Sequence, residues 1–379
     1  MAADLYLGLM SGTSMDGLDM VVVAFEEHQI ELLHHRQCPL PDELVERLNL
    51  LCQPQTLADE LHHYALADRA FAEFCAAAVS QFLADLQLAH TDICAIGSHG
   101  QTVRHAPSAQ PSYTLQLGDA NTLAALTGIA VVADFRRKDI ALGGQGAPLV
   151  PAFHQALFSS SEQPRAILNL GGIANVTWLP GPATGVMGFD TGPANTLLDG
   201  WFRRCHPEAP DSFDRHGAFA AQGEVQQELL EHCLADDYFA KPPPKSTGRD
   251  DFNLTWLATR AQLTGNQLSE FNPADVQATL IELTARSVAQ AMTNWLPNLP
   301  ETLFVCGGGA YNPLLMSALT AALPQCHWHS TAVLGVNPQH VEAMAFAWLA
   351  RCYLKKQPGN LPAVTGASRP TVLGGLFLP

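Results

Sequence analysis

Hydrophobic and polar positions group into short runs separated by glycine-rich bends. Leu5–Met10 and Met20–Phe25 are apolar, β-favouring runs flanking a polar middle, SGTSMDGLD, and predict a hairpin. Glu31–Pro41 reads as a further strand, and Asp42–Leu51 and Thr56–Leu88 as helices. In the second helix Leu61, Tyr64, Phe71, Cys75, Ala78, Phe82 and Leu86 recur at three- and four-residue spacing and predict one buried stripe. Asp92–Ser98 predicts a buried strand that empties into a loop, HGQTVRHAP. Tyr113–Leu117 and Ile129–Ala133 predict strands around a short helix in GDANTLAALTG. Strands alternating with helices indicate an α/β fold.

The polar, glycine- and proline-punctuated stretch from Asp134 to Pro151 predicts a crossing into a second domain. That domain opens as the first did, with Arg165–Leu170 and Ala174–Leu179 around Gly171–Gly172. Val186–Asp190 predicts a strand, with Asp190 or Thr191 starting a helix that carries Pro193 in its first turn. Gly217–Leu234, Asn253–Leu263 and Pro273–Leu296 read as helices, the last burying Val276, Leu280, Leu283, Val288 and Met292. DYFAKPPPKSTGRDDFN is a long loop of the kind that is often functional. Thr302–Cys306 predicts a strand opening into GGGAYN, where Tyr311 or Asn312 starts a helix. Val341–Lys356 is the last long helix, and the tail after it reads as a flap without helical period.

Composition narrows the function. At 379 residues two domains are expected, and 47% hydrophobic residues exclude a disordered chain. A net charge of −16 opposes nucleic acid and anionic membrane. The N-terminus carries no basic leader, and no apolar run approaches the ~20 residues that span a bilayer. Nine scattered cysteines without ligand spacing read as reduced core thiols of a cytoplasmic protein.

Three glycine bends stand in order: SGTSMDG, NLGGIAN and CGGGAYN. Glycine lets backbone amides approach an anion, so each bend is either a plain turn or a phosphate cradle. No GxxxxGK[ST] occurs, GxGxxG fails at Asn312, and GxSxG fails at Leu9. The arrangement resembles the actin, hexokinase and heat-shock-70 superfamily of ATP-binding proteins. The wording is closer to one family: GLMSGTSMDGLD, GSHGQTVRH, VVADFRRKDIALGGQGAPLVP, LNLGGIANVT, GFDTGPANTLLD, CGGGAYN and NPQHVEAMAFA all resemble anhydro-N-acetylmuramic acid kinase.

The resemblance implies two actin-like (ribonuclease H-like) ATPase domains with a nucleotide cleft between them. We place them at 1–133 plus about 357–379, and 134–356. It implies that ATP and water convert 1,6-anhydro-N-acetylmuramic acid to N-acetylmuramic acid 6-phosphate and ADP in peptidoglycan recycling. Mg²⁺ is the expected companion of ATP, a homodimer is the expected assembly, and neither nucleic acid nor membrane is an expected partner. ATP is expected at Gly12, Thr13, Ser14, Met15, Asp16, Gly17, Leu18 and Asp19 in the first bend. Gly171, Gly172 and Asn175 in the second, and Gly307, Gly308, Gly309 and Asn312 in the third, complete the nucleotide set.

Asp190 is the candidate catalytic carboxylate, since a strand end in an α/β sheet delivers its side chain to a crevice; the residues alone allow a helix N-cap as readily. His99, Gln101 and Thr102 offer imidazole, amide and hydroxyl to a sugar, or cap their own loop. Arg136 and Arg137 suit the lactyl carboxylate, one of them being a structural ion pair. Glu342 is either ligand-facing or an exposed helix position. The superfamily's acid before the first bend is Met10 here, which leaves the metal's carboxylate partner open among Asp190, Asp16 and Asp19. A chaperone-like ATPase would need a further domain, and only ~25 residues follow the last helix. An ordinary hexose kinase is the remaining competitor.

Overall fold

The computed structural model describes residues 3–12, 15, 17–26, 29–52, 57–181 and 185–379, so Thr13, Ser14 and Asp16 lie outside the described residues. The first strands are β1 (Asp4–Ser11), β2 (Leu18–Phe25), β3 (Ile30–Cys38), β4 (Ile93–Ser98), β5 (Gln101–Ala106), β6 (Tyr113–Leu117) and β7 (Val131–Ala133). They are followed by β8 (Arg165–Leu170), β9 (Ile173–Leu179), β10 (Met187–Pro193), β11 (Thr302–Cys306), β12 (His327–Ser330) and β13 (Gly375–Phe377).

The chain forms two compact units, Met1–Phe153 with His340–Pro379, and His154–Gln339. The first has a six-stranded sheet in the order β13-β7-β4-β1-β2-β3. Within it β1, β2 and β3 form an antiparallel meander, and β4 and then β7 add in parallel to β1. The second has a five-stranded sheet in the order β10-β9-β8-β11-β12. Again there is an antiparallel meander, β8-β9-β10, with β11 and β12 added in parallel to β8. The two units therefore repeat one plan, in which a glycine bend joins the first two strands of each meander. This is the α/β, two-domain actin-like architecture expected.

The boundaries differ from the sequence expectation: residues 134–153 and 340–356 fall with the first unit. The helix Val341–Leu354 is the reason. It lies so close to the first sheet that a Cβ on Gly8 of β1 would sit 2.0 Å from the Ala343 carbonyl, and one on Gly97 of β4 1.9 Å from that of Phe346. Only glycine permits that approach. The tail is also more than a flap, because β13 pairs antiparallel with β7.

Local expectations mostly stand. The stripe of the helix Glu60–Asp85 buries Phe71, Cys75 and Phe82, but Leu61 in its first turn is 78% exposed. All five apolar positions expected on the long helix Pro273–Trp295 are buried. Gly217–Leu234 is not one helix: two short 3₁₀ turns precede the helix Gln227–Leu234, and His216 takes a positive φ of 60°. None of the nine cysteines forms a disulfide, and five are buried. Among the described residues no helix is long and apolar enough to cross a membrane.

Candidate active site

In the first unit the parallel strands β1 and β4 both end at the first bend. Ser11 Oγ donates to Gln101 Oε1 at 2.6 Å, and Gln101 Nε2 donates to the Gly12 carbonyl at 3.2 Å. Gln101 is fully buried and sits on β5 rather than in a loop, so its amide acts as a brace for the bend. Thr102 belongs to the same β5–β6 ribbon, where its hydroxyl accepts from Gln116 Nε2. Met15 and Leu18 are buried core side chains, so only their backbone remains available to a ligand. Gly17 packs against β3, a Cβ there lying 2.9 Å from the Cys38 carbonyl. Asp19 is half-buried and pairs across the hairpin with Met10.

His99 follows β4, its backbone N–H donating to the Leu9 carbonyl of β1. The Arg136 guanidinium approaches His99 Nε2 at 3.0 and 3.2 Å. Because guanidinium only donates, Nε2 is an acceptor and the imidazole proton belongs on Nδ1. Burial, reinforced by the Arg136 charge, pulls the His99 pKa down to about 3 and keeps the ring neutral. Arg136 also donates to the Gly146 carbonyl at 2.8 Å. The Gly146 N–H in turn donates to Asp139, a fully buried carboxylate that also accepts from Asn360 and Thr365 of the tail. This chain of bonds fixes Arg136 in place. Arg137 is the structural partner of the pair: it is exposed and bridges Asp134 at 3.1 Å. Glu342 is half-buried in the first turn of the helix Val341–Leu354.

In the second unit the parallel strands β8 and β11 end in the other two glycine bends, the usual ligand position at carboxyl ends of such strands. The Gly171 and Gly172 carbonyls accept from Ala194, Asn195 and Thr196 at the start of the helix Asn195–Cys205. Gly307 and Gly309 are packed on Leu170, where Cβ atoms would fall 2.7 Å from Leu170 atoms. Gly308 and Gly171 differ: added Cβ atoms would meet nothing closer than 3.8 and 3.6 Å. Asn312 is the N-cap of the helix Pro313–Ala322, its Oδ1 accepting from Leu314 and Leu315.

Asp190 is not an N-cap. β10 runs on through Pro193, and the following helix is preceded by Ala194. Asn169, Asn175 and Asp190 are cross-strand partners on β8, β9 and β10, which puts the three side chains on one face. Asn175 is 92% buried, being 8% exposed, and its Oδ1 has no hydrogen-bond partner. A bulge follows immediately, because the pairing skips Thr191 between Asp190 and Gly192. Bulges beside active sites re-aim a side chain.

The long loop supplies what sequence reasoning missed. β10 is the edge of its sheet, and the loop covers that edge at Asp190. Tyr238 Oη donates to the Asp190 carbonyl at 2.7 Å, and the Asp190 N–H donates to the Lys245 carbonyl at 3.2 Å. The Thr247 N–H donates to Asp190 Oδ2 at 3.0 Å. The one available signal was the stretch PPPKST, where three prolines stiffen the segment that presents Lys245 and Thr247.

Known proteins resemble this chain along nearly its whole length. The family model for anhydro-N-acetylmuramic acid kinase matches residues 4–379. An anhydro-N-acetylmuramic acid kinase of Shewanella loihica is 51% identical over 380 residues, covering 100% of this chain and 99% of that protein. One of Idiomarina loihiensis is 53% identical over 375 residues, covering 98% of each. A solved structure, the activator of the 2-hydroxyisocaproyl-CoA dehydratase from Clostridium difficile with bound ADPNP, is 12% identical with a TM-score of 0.47, over 93% of this chain and 96% of that one. With a family model along almost its whole length and half its residues shared with such relatives, the chain belongs to the anhydro-N-acetylmuramic acid kinase family, phosphotransferases that act on a sugar hydroxyl.

Proposed function

We propose that Asp190 is the general base of the family's reaction, in which ATP and water open 1,6-anhydro-N-acetylmuramic acid to the 6-phosphate. In the anhydro sugar O6 is tied to C1 and is no acceptor until that bond breaks. Asp190 takes a proton from one water, whose oxygen bonds to C1; the C1–O6 bond breaks, and O6 takes the γ-phosphoryl as ADP leaves. The observation that carries this reading is the clamping of Asp190. The residue is 6% exposed, its backbone is held on both sides, and a bulge turns the chain just after it.

ATP is assigned to the glycine bends, with Gly171 and Gly308 as the points of close backbone approach and Gly12 at the transferring phosphoryl. Asn175, unsatisfied at Oδ1, suits a bound donor such as an ordered water on the nucleotide. The sugar is assigned to the first unit's group, Arg136 taking the lactyl carboxylate and neutral His99 a hydroxyl, with Thr102 and Glu342 completing the set. Gln101 contributes by bracing the bend. Mg²⁺, when bound with ATP, neutralises phosphate charge; Asp19, a half-buried oxygen ligand opposite Met10, is the residue we assign to it. We also infer a cytoplasmic homodimer, which the family resemblance favours.

An ADP-release assay tests the function. ADP is expected with 1,6-anhydro-N-acetylmuramic acid and not with glucose or N-acetylglucosamine. Comparable turnover of the free hexoses would instead make the protein an ordinary hexose kinase.

A further inference from the structure

We propose that Lys245 is a positioning residue for the reaction's base: its buried ammonium, carried by the loop over the β10 edge, holds Asp190 ionised and aimed. The proposal rests on the reading of Asp190 as base and adds the group that makes a buried carboxylate serviceable. Lys245 is 4% exposed. Its Nζ donates to the Tyr238 carbonyl at 3.3 Å and lies 4.6 Å from the centre of the Tyr238 ring. Neither contact supplies a full negative charge, and a buried ammonium is costly without one. Asp190 supplies it. The Lys245 carbonyl holds the Asp190 N–H, and two residues on, the Thr247 N–H holds Asp190 Oδ2, so the segment that carries the ammonium is anchored to both the backbone and the carboxylate of Asp190.

The electrostatics are consistent in sign. Burial pulls the Lys245 pKa down to about 8, the Asp190 charge pushes it up, and Lys241 adds a smaller repulsion. Lys245 therefore remains mainly protonated at neutral pH. Interaction is reciprocal: the ammonium favours the ionised carboxylate and lowers the pKa that Asp190 would have alone. The other groups on this cluster are the Tyr238 hydroxyl, which burial keeps protonated, and Asp251, which accepts from the Thr247 hydroxyl.

The test is the pH profile of kcat at saturating ATP and anhydro sugar for the unaltered enzyme and for Lys245→Met, Lys245→Arg and Asp190→Asn. Lys245→Met is expected to move the acid limb upward by about one pH unit or more. Below the limb that is a loss of about tenfold, which recovers as pH rises, with KM for ATP changed by less than about threefold. Lys245→Arg, which keeps a charge, is expected to return the limb close to its original position. A Lys245→Met limb that superimposes on the unaltered one overturns the proposal. Asp190→Asn with near-normal turnover overturns the underlying assignment of the base instead. If Lys245→Met does not fold by circular dichroism, Lys245→Gln, which keeps a donor for the Tyr238 carbonyl and removes the charge, gives the same reading.

Discussion

Asp190→Asn is expected to lower kcat by ~10²–10⁴, the usual contribution of a positioned base, while leaving ATP affinity within about twofold. The substitution is nearly isosteric, and the groups that hold this position are mostly backbone. The Tyr238 hydroxyl binds the residue 190 carbonyl and the Lys245 carbonyl binds its N–H, so both bonds survive. An asparagine Oδ1 can still accept from the Thr247 N–H. What disappears is the ability to take a proton. Turnover by single-phase ADP release and ATP binding by calorimetry separate the two effects. A variant with near-normal kcat would move the base to another residue.

The second large effect is a contrast between neighbours, Gly307 and Gly308. Gly307 has φ +82°, and a Cβ there would stand 2.5 Å from Asn169 Oδ1 and 2.7 Å from the Leu170 backbone. Valine is β-branched and strained at positive φ, and the Leu170 carbonyl beside it is backbone that cannot move aside as the Asn169 side chain could. Gly307→Val is therefore expected to lose several kcal/mol of stability, about 2–4 or more, and to yield little folded protein. At Gly308 the nearest atom to an added Cβ is Asn195 Nδ2 at 3.8 Å. Gly308→Val is expected to melt like the unaltered protein yet bind ATP at least about tenfold more weakly, since the side chain occupies the space through which backbone meets nucleotide. Thermal melts and calorimetry read both outcomes. Unchanged ATP affinity in a folded Gly308→Val protein would remove the nucleotide from this bend.

The legible parts of this chain are those in which burial on one face writes a local period. The two hairpins, the β11 strand and the helix Pro273–Trp295 all stand where their apolar runs predict. β5 was not legible. Thr102 and Arg104 alternate with Gln101 and Val103 in a two-stranded ribbon that is only partly buried, so HGQTVRHAP carries the composition of a loop. The start of the helix at Asn195 was misplaced because Pro193, a frequent first-turn residue, here ends a strand.

Site residues show the same division. The glycine bends were legible because they sit at strand ends, where a change of composition marks them, whereas Asp190 stands within β10, which runs on through Pro193. Arg136 and Arg137 could not be told apart, since Asp134 lies near both in sequence and what holds Arg136, His99 above all, is distant. Lys245 and Tyr238 were invisible for the same reason. They reach Asp190 from about fifty residues away through a loop without period, at separations of 48 for the Tyr238 contact and 57 for that of Thr247.

The central claim is that water attacks carbon and the phosphoryl goes to O6. It is tested most directly by running the reaction in ¹⁸O-water and analysing the products promptly, before the anomeric oxygen exchanges with solvent. The account predicts label in the C1 hydroxyl of the product and none in its phosphate. Label in the phosphate would mean that water attacks phosphorus, and Asp190 would then be aimed at the wrong atom.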